Sequence, residues 1–256
     1  MTTRRDAEPA GGSDPGAAPG QPNRWMRPVL ATAVLAAGAA LVLRLAPGGL
    51  GHPGPIEVTD GMTVSGYRWV VDAAPGAPGS ALVALAGEGL IVLLAGALGV
   101  LCWLGWRRSA WRQVAGTVLT GAGTLGAYLG SEAIKLVVDQ ERPCRAVPGA
   151  PLVPHCPDVG DWSFPSNHAT IVGALAVGLA LTRPRLAPLV LPLGVLAALS
   201  RVVAGIHYPH DVLAGLLLGG ATSGALVIAL IAPAARLAGG VARTGARARI
   251  RPGRRP

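Results

Sequence analysis

Residues 80–105 read SALVALAGEGLIVLLAGALGVLCWLG, a run from Ser80 to Gly105 whose one charged side chain is Glu88. A hydrocarbon core of about 30 Å is crossed by about 20 helical residues, so this run is long enough to span a bilayer. Lipid offers no partner to backbone N–H and C=O groups, which makes the run a helix and not a strand. Working outward, five more apolar stretches lie at about 28–47, 112–135, 165–183, 186–206 and 210–233. The fold expected is all-α, a six-transmembrane-helix bundle over 28–235.

Composition agrees with this reading. The chain of 256 residues is 51% hydrophobic and only 14% charged, with a mean hydropathy of +0.47, too apolar for an ordinary soluble domain. Small residues such as Gly116, Gly121, Gly123, Gly126 and Gly130 in the third stretch let helix backbones approach closely. Residues 1–27, rich in Gly, Pro, Ala and Asp without periodicity, are expected as a disordered tail. The stretch 28–47 is longer than the apolar part of a secretory signal and follows a long polar tail, so it reads as a membrane helix.

The net charge of +9 raises nucleic acid as a partner, but the basic residues sort by side of the membrane. Arg4, Arg5, Arg24, Arg27, Arg107, Arg108, Arg112, Arg183, Arg185 and the seven arginines between Arg236 and Arg255 share one side. Arg44, Arg68, Lys135, Arg142, Arg145 and Arg201 share the other. The positive-inside rule then places both termini in the cytoplasm. Trp25, Trp103, Trp106 and Trp111 fall at the cytoplasmic helix ends, where an indole buries its body and keeps its N–H wet. The tail 236–256 suits contact with anionic lipid. The bilayer, and no nucleic acid, is the expected partner.

Three polar blocks fall on the extracytoplasmic side. Lys135, the one lysine of the chain, opens the first, which continues to Arg142-Pro143. Both cations can point at one anion, although Lys135 taken alone could equally be snorkelling to the headgroups. Pro165-Ser166-Asn167-His168 begins a helix whose cap Ser166 and free N–H groups suit a phosphate. Ser200-Arg201 close the fifth helix, and His207 and Asp211 stand four apart at the start of the sixth. One helical turn separates these two, so the carboxylate can hold one imidazole nitrogen and leave the other as a nucleophile. Each block alone reads as ordinary helix-end chemistry; their convergence on one side supplies what in-line phosphoryl transfer needs.

These blocks, Lys135-x6-Arg142-Pro143, Pro165-Ser166-Asn167-His168 and Ser200-Arg201-x5-His207-x3-Asp211, resemble the signatures of the type 2 phosphatidic acid phosphatase superfamily. That superfamily includes bacterial polyprenyl pyrophosphate phosphatases and is related to vanadium haloperoxidases. The resemblance covers roughly 80–220. It implies that His207 attacks phosphorus and becomes a phosphohistidine, with Asp211 orienting it and His168 protonating the leaving oxygen and later activating water. Lys135, Arg142 and Arg201 would hold the phosphate oxygens, assisted by Ser166 and Asn167. No metal or other cofactor is implied. Asn167 departs from the family, which most often has Gly there; Asn tolerates unusual backbone angles better than most residues.

Other residues stay open. Glu88 and Glu132 lie within expected helices, where a carboxylate is costly and so a pocket candidate, with Glu132 one turn from Lys135. Cys144 and Cys156 share the outer loop, either as a disulfide or as free thiols; a metal site using them with His155 lacks a fourth ligand. Cys102 reads as a small buried hydrophobe. The segment 48–79 is expected as an irregular flap. His52, His155 and His210 belong to no block. The composition, high in Ala, Gly, Pro and Arg, points to a bacterium and its plasma membrane. The expected function is a phosphatase acting on a lipid phosphate or polyprenyl pyrophosphate. A lipid phosphotransferase and a non-catalytic lipid-phosphate binding or transport protein are the alternatives. The lipid and the oligomeric state are not legible.

Overall fold

The computed structural model describes residues 25–49, 51, 54–74, 76–150 and 156–250, with side chains left aside at 77 and 245–250. Most of the expected tail 1–27, the last residues of the basic tail, His52 and His155 lie outside them. Among the described residues the protein is all-helical, with one isolated parallel bridge between Ile56 and Gln140.

The helices are α1 (Met26–Leu45), α2 (Gly61–Asp72), α3 (Gly76–Arg107), α4 (Trp111–Lys135), α5 (Pro143–Ala146), α6 (Asn167–Thr182), α7 (Ala187–Val203) and α8 (Pro209–Ile250). All six expected stretches are helical. Four meet the length and hydropathy of a membrane span: α1, α3, α7 with its preceding 3-10 turn, and α8, and the chain is a membrane protein. α6 is apolar but only 16 residues long, a rise of about 24 Å. α4 is long enough, but turns small and polar groups inward. Thr117, Thr120, Gly123, Ala127, Ser131 and Lys135 form one buried stripe at helical spacing.

Two boundaries differ from expectation. The segment 48–79 contains α2, because Val64 and Tyr67 stand three apart and bury one face while Met62 and Trp69 face outward. α8 runs past Pro233 to Ile250; a proline removes one backbone donor, and the Ala-rich sequence beyond it carries the helix on.

Small residues set the centre of the bundle. A Cβ on Gly215 would lie 2.5 Å from the Ser166 carbonyl oxygen, so α8 touches the first turn of α6, and Gly123 likewise meets the Ser223 backbone across α4 and α8. The main apolar core joins α2, α3, α6, α7 and the start of α8 through Tyr67, Leu94, Val172, Leu179, Val202 and Tyr208. Above it the 136–166 loop is stitched to the chain after α1: Ile56 N–H donates to Asp139 O at 2.7 Å, and Glu141 N–H to Ile56 O at 2.9 Å.

Candidate active site

His207 sits in the turn between α7 and α8. Gly205, at φ 75°, ends α7 in a left-handed conformation that suits glycine, and its carbonyl accepts the Tyr67 hydroxyl at 3.1 Å. α8 then starts with Pro209 at its first position, where a missing N–H costs nothing. Asp211, two residues on, reaches back to accept the Tyr208 N–H on Oδ2 at 2.8 Å, the carboxylate half of a capping box. The cap that starts α8 thereby fixes the carboxylate beneath the imidazole.

Asp211 and His207 are 0% and 3% exposed. Their direct contact is long, 3.5 Å from Nδ1 to Oδ2. Ser163 fills the gap: its hydroxyl donates to Asp211 Oδ2 at 2.5 Å and lies 3.3 Å from His207 Nδ1. Nε2 faces away and is 3.1 Å from Arg142 Nη1. Burial pushes His207 down, and Arg142 and Lys135 add to it; the Asp211 carboxylate raises it without winning, and the imidazole settles at about 4.

The three cations are buried, Lys135 at 7%, Arg142 at 4% and Arg201 at 3% exposure. They come from three places: the last turn of α4, the residue before α5 and the last turn of α7. Each holds a wetter carboxylate. Lys135 Nζ is 3.4 Å from Glu132 and 3.6 Å from Asp161 Oδ1, and Arg201 Nη1 is 3.4 Å from Glu88. Arg142 Nη2 is 2.9 Å from the same Asp161 Oδ1, its Nε donates to the Asp161 carbonyl at 2.8 Å, and its Nη1 to the Ile206 carbonyl at 3.1 Å. Burial lifts the Asp161 carboxyl, but Arg142 and then Lys135 outweigh it and hold it below its ordinary range. Arg201 also donates to Ala84 O and Ser200 Oγ, and it passes α3 because residue 87 is glycine: a Cβ there would collide with Ser200 and come 3.2 Å from Arg201 Nη2.

Ser166 caps α6, its hydroxyl accepting the Ala169 N–H at 3.5 Å, and its own N–H donates to the Asp211 carbonyl at 3.1 Å. Asn167 differs from the expectation for it. Its backbone is helical, and the one described non-glycine residue at positive φ is Ser109. The side chain does the work: Ser131 Oγ donates to its Oδ1 at 2.7 Å, and its Nδ2 donates to Glu132 Oε1 at 2.5 Å, bracing α6 against α4. His168 follows, half-buried, with Arg201 and Glu88 among its charged neighbours.

Cys144 and Cys156 are joined by a disulfide. It closes the loop around Arg145, which pairs with Glu141 at 2.6 Å and donates to the carbonyls of Pro157 and Asp158. Cys102 is half-buried in α3.

Sequence reasoning passed over Asp161, Ser163 and His210. His210 Nδ1 is 2.6 Å from the Thr63 hydroxyl, and Nε2 is 3.0 Å from both Gln140 Oε1 and Asp211 Oδ1, aligned as a hydrogen bond only with Gln140. Its ring makes stacked contacts with both Phe164 and Tyr208. The imidazole thus ties α2, the 136–166 loop and α8 beneath the site.

The family model described as the PAP2 superfamily matches residues 114–233. Over 140 residues the chain is 38% identical to a decaprenylphosphoryl-5-phosphoribose phosphatase of Mycobacterium tuberculosis, covering 54% of this chain and 68% of that one. Over 89 residues it is 44% identical to an undecaprenyl-diphosphatase of Sulfolobus acidocaldarius, covering 34% and 42%. Among solved structures, a transmembrane PAP2 type phosphatidylglycerolphosphate phosphatase from Bacillus subtilis is similar at a TM-score of 0.44 and 20% identity, covering 81% of this chain and 94% of the other. All three blocks, from Lys135 to Asp211, lie within the family match, and with 68% of the mycobacterial relative's length covered at 38% identity the chain belongs to the PAP2 superfamily.

Proposed function

We propose that the chain is an integral-membrane phosphatase that removes the terminal phosphate of a lipid phosphate or polyprenyl pyrophosphate through a phosphohistidine on His207. The observation that carries this reading is the environment of Nε2: an uncharged imidazole nitrogen, backed by Ser163 and Asp211, faces the guanidinium of Arg142 with Lys135 alongside. The relatives' names, phosphatases of polyprenyl-linked phosphate and diphosphate, support the substrate class.

In the first step Nε2 forms a bond to phosphorus as the bond to the leaving oxygen breaks, and His168 gives that oxygen a proton. In the second, His168 takes a proton from water, the water oxygen bonds to phosphorus, and the phosphorus–nitrogen bond breaks to release phosphate and neutral His207. Charge on the transferring group spreads over its three oxygens, which Lys135, Arg142 and Arg201 meet with buried positive charge. Ser166 and the Asn167 N–H, at the start of α6, add dipoles of the same sign. Asp211 and Ser163 steady the proton left on Nδ1, as an orienting acid does for a histidine base.

The arginine distribution supports cytoplasmic termini and an extracytoplasmic site, and the composition, high in Ala, Gly, Pro and Arg, supports a bacterial plasma membrane. An amphiphile would bring its phosphate to the cations from the outer leaflet. Phosphate release from purified lipid phosphates by the wild-type chain and its His207→Ala variant tests the proposal.

A further inference from the structure

Asp211 is fully buried, yet its two carboxylate oxygens are unequally served. Oδ2 accepts the Ser163 hydroxyl at 2.5 Å and the Tyr208 N–H at 2.8 Å, and it faces His207 Nδ1 at 3.5 Å. Oδ1 has no hydrogen bond among the described residues, although His210 Nε2 stands 3.0 Å from it. We propose that His210 is a positioning residue for the phosphoryl transfer, a role that rests on the catalytic reading of His207. Its Nε2–H turns between Gln140 Oε1 and Asp211 Oδ1, the bond to Oδ1 clamps the carboxylate that holds His207, and Thr63 of α2 sets the ring.

Gln140 Oε1 and Asp211 Oδ1 can only accept, and each is 3.0 Å from His210 Nε2, so that nitrogen carries a proton. Nδ1 of the neutral ring then accepts the Thr63 hydroxyl at 2.6 Å. At rest the Nε2–H is aligned with Gln140 and not with Asp211. Stacked contacts with Phe164 and Tyr208 hold the plane of the ring and leave motion within that plane, which is the motion that re-aims the N–H. The transfer supplies the reason for it. Once His207 Nε2 bonds to phosphorus, the ring of His207 is positive, and its Nδ1–H needs Asp211 Oδ2 more than before. A carboxylate is rigid and planar, so a donor on Oδ1 fixes where Oδ2 points, and a buried oxygen without a donor is costly. Thr63 stands in the first turn of α2, outside the family match that begins at residue 114. The chain from Thr63 through His210 to Asp211 therefore joins α2 to the proposed nucleophile.

Steady-state phosphate release by the detergent-solubilised full chain, from farnesyl pyrophosphate and from dioleoyl phosphatidic acid, tests this. His210→Phe keeps a ring against Phe164 and Tyr208 and removes both nitrogens. Its kcat should fall about tenfold or more, with KM and the inhibition constant for inorganic phosphate within about twofold, because neither hydrogen bond of His210 goes to the three cations. His210→Gln returns an N–H at the reach of Nε2 and should recover kcat to within about fivefold of wild type. Thr63→Val should lower kcat about two- to fivefold in wild type and not at all in His210→Gln, which has no Nδ1 to hold. A smaller loss in His210→Phe, a Gln variant no better than the Phe variant, or a phosphate inhibition constant that moves with kcat overturns the proposal. So does a Thr63 loss that is absent in wild type or equal in both backgrounds, and this comparison decides should His210→Phe fail to fold. With wild type active and His207→Ala inactive, any of these results removes the role of His210 alone. No release by wild type, or release by His207→Ala at its rate, overturns the catalytic reading and this role with it.

Discussion

Arg142 Nη1 lies 3.1 Å from His207 Nε2, the ring nitrogen turned away from Asp211. A guanidinium has donors and no acceptor, so Nε2 is the unprotonated nitrogen and the ring proton sits on Nδ1, toward Ser163 and Asp211. The Nε2 lone pair, proposed as the nucleophile, is therefore covered at rest by the same cation proposed to bind the substrate. A phosphate oxygen that takes the Arg142 N–H uncovers the lone pair in the same movement.

The neutral imidazole sets the response to acid. Burial first, then Arg142 and Lys135, hold His207 at about 4. A protonated ring has no lone pair, so kcat/KM should fall as pH drops through about 4 and should not respond to this group from about pH 5 to 7. A pH–rate profile checks it, with the substrate's own ionisation titrated separately. An acid limb attributable to His207 near the ordinary value of about 6.5 would mean that the ring is solvated in the free enzyme.

Asp161 places one oxygen on both Lys135 and Arg142, two of the cations proposed to hold phosphate. Asp161→Asn should tighten inhibition by phosphate or vanadate about three- to tenfold, the scale of one partly solvated ion pair. Inhibition constants measured side by side decide it; weaker binding in the variant would make Asp161 a necessary part of the cradle. The same carboxylate bears on acid stability. Its folded value lies below the ordinary one of about 3.9, so its contribution is present above that pH and is lost as pH falls through the folded value.

Ser163→Ala should lower kcat about 10- to 100-fold and leave KM within about twofold. The hydroxyl is hydrogen-bonded to Asp211 and lies beside His207, away from the three cations proposed to hold phosphate, so its loss should loosen the proposed nucleophile without emptying the proposed cradle. Steady-state kinetics separate the two constants. A rise in KM with kcat intact would show that Ser163 reads the substrate instead.

Sidedness has its own check. In a background without cysteine, a single Cys at Asp158 should react with an impermeant maleimide in intact cells, and one at Ser109 only after permeabilisation. The reverse pattern would put the site at the cytoplasmic leaflet and leave the chemistry untouched.

The helices were legible because membrane spans write themselves as long apolar runs, and 80–105 needed no further context. α4 was legible by length, yet its inward stripe from Thr117 to Lys135 makes it the least apolar of the six, a consequence of lining the centre of the bundle. α2 was missed because twelve residues with one buried face give too short a pattern to separate from a loop. The block residues were legible from spacing, since His207 and Asp211 share one turn and Ser166 opens a helix. Ser163, Asp161 and His210 were not: each acts across 19 to 147 positions of sequence, through partners that only the folded loops bring near. Asn167 was placed correctly at the helix start, but its side-chain bridge to Ser131 and Glu132 depends on how α4 crosses α6, which no local pattern states.

The central claim is that His207 is the nucleophile, and phosphate release measures it most directly. Purified wild-type chain, in detergent with chelator present, should release inorganic phosphate from at least one of a panel of polyprenyl pyrophosphates and lipid phosphates. His207→Ala, eluting as a folded species, should release it at least about a thousandfold more slowly, the scale of losing a covalent nucleophile. Release by the variant within about tenfold of wild type would contradict the account.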